Sequence, residues 1–203
     1  MTTSTSSGPT SVPESRTPAE LAAAGWSETD LHWENAMDTA VAALAEGDPA
    51  TAGEGFAACV GIARAFGEFD PRLGTSCANR AALLAATGRG EAAGLLLRDA
   101  RAVWAGCDGW VAAMTAPRVA RSSMFHMRME QRHRGAYEER WREKWAVWLA
   151  EARGRLGGEE ALVLATAAGA AEALARWRRE KPAMLNDTRK LMAAAVLLVA
   201  ERA

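Results

Sequence analysis

The chain has 203 residues, a formal net charge of −1 and apolar side chains at 49% of positions. That allows one packed domain or a short repeat array and gives no overall charge to steer the molecule toward nucleic acid or an anionic surface. Alanine supplies much of the apolar content, β-branched residues are scarce, and Trp, with eight copies, outnumbers the other aromatics, a mixture that favours close-packed helices over sheets and predicts an all-α fold.

In chain order, residues 1–17 are rich in Ser, Thr, Pro and Gly and are expected to form a disordered tail. They carry neither the basic start nor the apolar stretch of a secretory leader. A short helix can begin after Thr17-Pro18. Ser27-Glu28-Thr29-Asp30 is a capping-box-like start for a helix running to about Glu46. Gly47-Asp48-Pro49 ends that helix and opens the next, with Asp as the cap and Pro in the first turn. Asp70-Pro71 repeats the device after Gly67, and the helix it opens stops at Gly88. Arg89–Ala105 forms a further helix, followed by a break over Gly106–Gly109. Helices are then expected from Ala116-Pro117 to Arg134 and from Gly135 to Leu156, with Gly157-Gly158 as a stop. Glu159–Glu180 and Pro182–Arg202 complete the series. The short gaps predict antiparallel hairpins.

The pattern repeats. Arg98-Asp99-Ala100-Arg101-Ala102-Val103-Trp104 returns as Arg142-Glu143-Lys144-Trp145-Ala146-Val147-Trp148. Phe56 and Leu97 stand at the same distance after the helix-ending glycines Gly47 and Gly88, so residues 33–67, 74–106 and 118–152 read as three helix-turn-helix units. The first unit carries Ala52, Phe56 and Cys59 at small, large and small positions. The second carries Asn79, Leu84, Gly88-Arg89, Glu91, Ala93, Leu97 and Ala100. The third departs, with Arg132 at the turn-glycine position and Tyr137 and Lys144 at the small ones around Trp141.

On these residues the chain resembles the tetratricopeptide repeat family, in its longer, kinesin-light-chain-like variant. The resemblance implies an antiparallel helix-hairpin array, an α-solenoid over residues 18–156, with residues 157–203 as C-terminal capping helices or a divergent fourth repeat. It also implies a non-enzymatic protein-interaction module, an adaptor or accessory subunit that binds a peptide or protein segment in a concave groove and needs no cofactor. Carried over by register, the groove would show Glu34, Met37 and Asp38 in the first unit, Thr75, Asn79 and Ala82 in the second, and Ser122, Ser123, His126, Met129 and Glu130 in the third. Only Asn79 matches the family motif by identity. A carboxamide can donate to and accept from a peptide unit at once, and a helix–helix hydrogen bond is the other use open to Asn79. If Asn79 faces a free groove, Asn79→Ala weakens partner binding and leaves melting unchanged.

Other chemistry is sparse. No nucleophile elbow, Walker loop, dinucleotide fingerprint or HExxH occurs. His126, Glu130 and His133 share one helix face beside Met129 and could hold a transition metal, giving a metal- or small-ligand-binding sensor as the alternative function. Histidines seven apart lie roughly 10 Å from each other, too far to chelate unaided, and arginines surround them. The three cysteines, Cys59, Cys77 and Cys107, have no zinc spacing and read as buried, reduced thiols suited to a cytoplasm. The bases from Arg128 to Lys144 alternate with Glu138, Glu139 and Glu143, the pattern of a solvated helix face and not of a nucleic-acid site. The apolar run Leu191–Ala200 is too short to cross a bilayer. Trp141, Trp145 and Trp148 form one stripe, either inter-repeat core or a partner anchor. Small side chains over residues 161–175 would admit a close helix from this chain or from a second subunit.

Overall fold

The structure, a computed structural model, describes residues 26–112, 124–157, 162–180 and 193–200. Six α-helices cover most of them: α1 (Glu28–Ala45), α2 (Pro49–Ala63), α3 (Pro71–Ala86), α4 (Gly90–Ala112), α5 (Met124–Leu156) and α6 (Ala167–Glu180). Among the described residues extended pairing is confined to a single antiparallel bridge, Leu164 to Val199. No described helix is long and apolar enough to cross a membrane.

Local chemistry sets the ends of the first four helices. At the start of α1 the Ser27 hydroxyl accepts from the Asp30 N–H at 3.2 Å while the Asp30 carboxylate accepts from the Ser27 N–H at 2.8 Å, a reciprocal cap. Gly47 adopts φ +80° and Gly88 φ +79°, a left-handed conformation that costs glycine little. Each lets two N–H groups reach back into the helix: Asp48 to Ala43 at 2.8 Å and Gly47 to Leu44 at 3.1 Å, then Arg89 to Leu84 at 2.8 Å and Gly88 to Ala85 at 3.1 Å. The carboxylates of Asp48 and Asp70 then accept from first-turn amides of α2 and α3, each ahead of a proline. Hydrogen bonds from Thr51 hold the exposed Asp48 carboxyl below its ordinary range.

Successive helices pack in a row, α1 on α2, α2 on α3, α3 on α4 and α4 on α5, while α6 returns to α1. Small residues set how closely they approach. A Cβ at Gly55 would stand 2.7 Å from the Ala40 Cβ and 3.1 Å from the Ala40 Cα, and one at Gly74 would stand 2.7 Å from the Trp104 ring nitrogen. Ala52, Phe56 and Cys59 are all fully buried, as is Ala100. Two apolar clusters result. One gathers Trp33, Met37, Phe56 and Trp177 of α1, α2 and α6, with Trp33 and Trp177 edge to face at 6.2 Å. The other gathers Cys77, Ala82, Trp104, Leu149 and Leu156 of α3, α4 and α5.

This spacing yields a paired prediction. Gly55→Ala gains helix propensity but forces α1 away from α2, and should lower stability by about 1–3 kcal/mol. Gly61→Ala, with nothing within 4 Å of the added methyl, should raise it by roughly 0.5–1 kcal/mol. Urea midpoints of the two variants measured side by side would check the opposite signs.

Three sequence expectations are corrected. First, α4 runs unbroken through Gly106–Gly109. Gly106 lies beneath the Phe69 ring, where a Cβ would fall 2.0 Å from a ring carbon, so this glycine serves a close approach and not a stop. Second, α5 runs unbroken through Arg134 and Gly135, so the third unit contains no helix-turn-helix within its described part. A lone helical glycine costs about 1 kcal/mol, too little to break a 33-residue helix braced by pairs such as Arg134–Glu138 at 2.7 Å. Third, the last two helices are shorter than expected. Residues 162–166 precede α6 in non-helical backbone, and residues 193–195 make a helical turn that gives way to extended backbone before Val199.

Candidate functional site

The fourteen-residue α6 and the long α5 flank residues 193–200, Ala-Ala-Ala-Val-Leu-Leu-Val-Ala, which lie against α3. Thr75 and Asn79 stand one turn apart on the same face of α3. The Thr75 hydroxyl donates to the Ala193 carbonyl at 2.6 Å. The Asn79 carboxamide bonds in both directions: its Nδ2 donates to the Val196 carbonyl at 2.9 Å, and its Oδ1 accepts from the Leu198 N–H at 2.8 Å. Arg155 of α5 donates to the Leu197 carbonyl at 3.3 Å, and Arg176 of α6 donates to the Ala195 carbonyl. On its other edge the segment pairs with residues 163–165, the Ala165 N–H donating to Leu198 at 2.6 Å and the Ala200 N–H donating to Val163 at 2.8 Å. Five carbonyls of the segment, those of Ala193, Ala195, Val196, Leu197 and Leu198, are thus met by four side chains and by the Ala165 N–H.

From Val196 to Val199, past the helical turn, the side chains alternate. Val196 and Leu198 enter the cluster built on α1 and α6, while Leu197 and Val199 enter the cluster built on α3, α4 and α5. All four are at most 4% exposed. The segment therefore joins the two halves of the core.

A buried ionic group holds α1 and α3 in register beneath this face. Arg72 is 2% exposed, Asp70 2% and Asp30 4%. Arg72 donates to Asp70 through Nε at 2.9 Å and Nη2 at 2.8 Å, and to Asp30 through Nη1. Its guanidinium lies 3.2 Å from the Phe66 ring centre. Next to it the Trp33 indole N–H donates to Ser76 at 2.9 Å.

The residues expected to line an open groove fall in several places. Asn79 and Thr75 are fully buried against the chain's own segment, and Glu34 is 1% exposed, so neither Asn79 nor Glu34 faces solvent. Asp38 accepts from Arg178 of α6 at 2.7 Å, a bond that raises the Arg178 pKa. Ser122 and Ser123 lie outside the described residues. The backbones of His126, Met129 and Glu130 belong to α5, while their side chains are outside the described set; His133 is exposed. Among the described residues no three His, Cys, Asp or Glu side chains are grouped to hold a metal ion. Trp104 and Trp145 are buried, and Trp145 stacks on Trp110 at 5.9 Å; the Trp141 side chain is outside the described set.

Sequence reasoning missed Arg72, Arg155, Arg176 and the segment itself. The run Ala193–Ala200 carries a signal, since Val196 and Val199 are β-branched and favour extended backbone. The arginines carry none, because nothing local distinguishes a donor to a distant carbonyl from a solvated base.

The three cysteines are free and buried. Burial pushes Cys59 up to about 12, Cys77 to about 11 and Cys107 to about 12. In the unfolded chain they ionise near 9, so above that pH the unfolded state binds fewer protons and stability should fall as pH rises from 9 toward 11. Each thiol can contribute up to about 1.4 kcal/mol per pH unit. Unfolding midpoints from pH 8 to 10.5, compared with those of a triple Cys→Ala variant, should show a shallower decline in the variant. A disulfide-exchange reagent at pH 8 should label the native thiols only as fast as the chain opens.

Comparison with family models, with curated proteins and with solved structures finds no match to this chain.

Proposed function

We propose that the chain is a non-enzymatic protein-interaction module of the tetratricopeptide type, an adaptor or accessory subunit that binds an extended peptide segment along the α1 and α3 face. One observation supports the reading: the Asn79 carboxamide bonds main chain in both directions, donating to the Val196 carbonyl and accepting from the Leu198 N–H, where a helical turn gives way to non-helical backbone. Such contacts read main chain and not sequence, the requirement for a surface that recognises extended peptides. Two hairpins with matching glycine-ended turns, and small residues where helices approach, agree with a repeat array.

Panning a random peptide display library against the full chain tests the reading. Peptides of one recognisable class should be enriched, and synthetic copies should lose binding to a Thr75→Val, Asn79→Leu double variant that keeps its helicity. No enrichment, or peptides indifferent to that double variant, would contradict it.

A further inference from the structure

We propose that the cleft bordered by α6, the end of α5 and residues 197–200 binds a small organic anion, a molecule with a compact phosphate or carboxylate group on a neutral body. Thr75 and Asn79 do not border this cleft, so the site stands or falls apart from the peptide-binding reading.

The cleft has a volume of about 510 Å³, within the range of small-molecule pockets. One side of α6 runs along it. Thr166, just before the helix, is followed by Gly169, Glu172, Arg176 and Arg179 at helical spacing. That row covers about 20 Å at the helical rise. Arg155 of α5 and residues 197–200 complete the border.

Charge selects the ligand. Three guanidinium groups, those of Arg155, Arg176 and Arg179, border the cleft against the single carboxylate of Glu172 among the described residues. The ordinary use of a surface arginine is to pair with a nearby acid, as Arg178 does with Asp38 at 2.7 Å. Arg176 and Arg179 do otherwise. Glu172 stands one turn before Arg176, the spacing of a helical ion pair, yet Arg176 donates to the Ala195 carbonyl instead. Arg179 meets no acid among the described residues.

Two of the three groups are also held in place. Arg155 donates to the Leu197 carbonyl at 3.3 Å and to Glu151 at 2.5 Å, and Arg176 is tied to Ala195. A guanidinium has five N–H donors, and the Nε of each of these side chains is buried with no hydrogen-bond partner. A guanidinium already fixed and with donors to spare loses little side-chain entropy on meeting an anion, and its planar fork matches phosphate and carboxylate. The start of α6 adds to the same potential. The Thr166 hydroxyl accepts from the Gly169 N–H at 3.2 Å beside the cleft, where the amides of a first helical turn carry partial positive charge. The neutral body of the ligand has room, because Ala165, Gly169 and Ala173 present small side chains or none.

Isothermal titration of the full chain in chloride buffer tests the site, with 1-naphthyl phosphate, 1-naphthoate and the uncharged 1-naphthalenemethanol as probes. At least one of the two anions should bind one-to-one and at least about tenfold tighter than the alcohol, and the tighter of the two names the group recognised. Raising the ionic strength should weaken it. Arg179→Gln should weaken it at least about fivefold. Gly169→Leu, which keeps every charge and fills space in the cleft, should weaken it as much; a Cβ there meets only Ala165 and Thr166, each at 3.5 Å, an ordinary contact. Helicity and melting should be unchanged in Arg179→Gln, whose side chain is exposed. Anions that bind no tighter than the alcohol would overturn the proposal. Full affinity in folded Arg179→Gln would overturn it by removing the charge argument, and full affinity in folded Gly169→Leu by placing the ligand outside the cleft. If Gly169→Leu fails to fold, Arg179→Gln decides.

Discussion

Replacing Arg72 with alanine should lower the unfolding free energy by about 3–5 kcal/mol, a large share of the 5–15 kcal/mol typical of a folded domain. Arg72 is the cation shared by Asp30 and Asp70, and all three side chains are almost wholly removed from water. Without it two carboxylates remain in a dry site, and the loss reflects those orphaned charges more than the worth of the ion pairs. Packing is lost as well, because the guanidinium fills the space over Phe66. The pair Arg72→Met, Asp70→Asn should recover part of the loss: Asn also caps a helix start, and one orphaned charge is gone. Chemical denaturation of the single and paired variants checks both statements. A single variant within about 1 kcal/mol of the unaltered chain, the range of an exposed pair, would show that the triad is hydrated in solution.

Asn79→Ala is the second large effect, expected at about 2–4 kcal/mol, since the Val196 carbonyl and Leu198 N–H would both be left unsatisfied away from water. If Asn79 lined a free groove, removing it would leave melting unchanged; its complete burial and its bonds to this chain's own segment reverse that expectation. Asn79→Asp separates the two roles. It keeps an acceptor for Leu198 but presents no donor to Val196 and introduces a buried charge, so it should be no more stable than Asn79→Ala. Thr75→Val, which removes one donor to Ala193 and keeps the shape, should cost less than either, about 1 kcal/mol.

The helical class and the first two hairpins were legible because their signals are local. Ser27, Asp48 and Asp70 cap the helices the sequence assigns to them, and Gly47 and Gly88 take the turn conformation that ends them. Errors arose where a glycine has two possible meanings. Gly106 reads as a break, yet it makes room for Phe69, which is distant in sequence. Gly135 lies in a helix that continues past it. The end of the chain was least legible. Ala and Leu in residues 193–200 favour a helix, yet only residues 193–195 are helical, and the groups that meet the rest of the segment come from Asn79, Arg155 and residues 163–165. That balance depends on partners more than 19 residues away in most cases, beyond the reach of any local pattern. Asn79 was found by its type and register, while its partner could not be: the segment that fills its site lies 117 residues on.

Hydrogen exchange at the Leu198 amide, followed in the unaltered chain and in Asn79→Ala, tests the account most directly. Strong protection is expected in the unaltered chain and a large, selective loss in the variant, while amides within α3 and α4 keep most of theirs. A Leu198 amide that exchanges at the unprotected rate in the unaltered chain, or one equally protected with and without the Asn79 carboxamide, would contradict it.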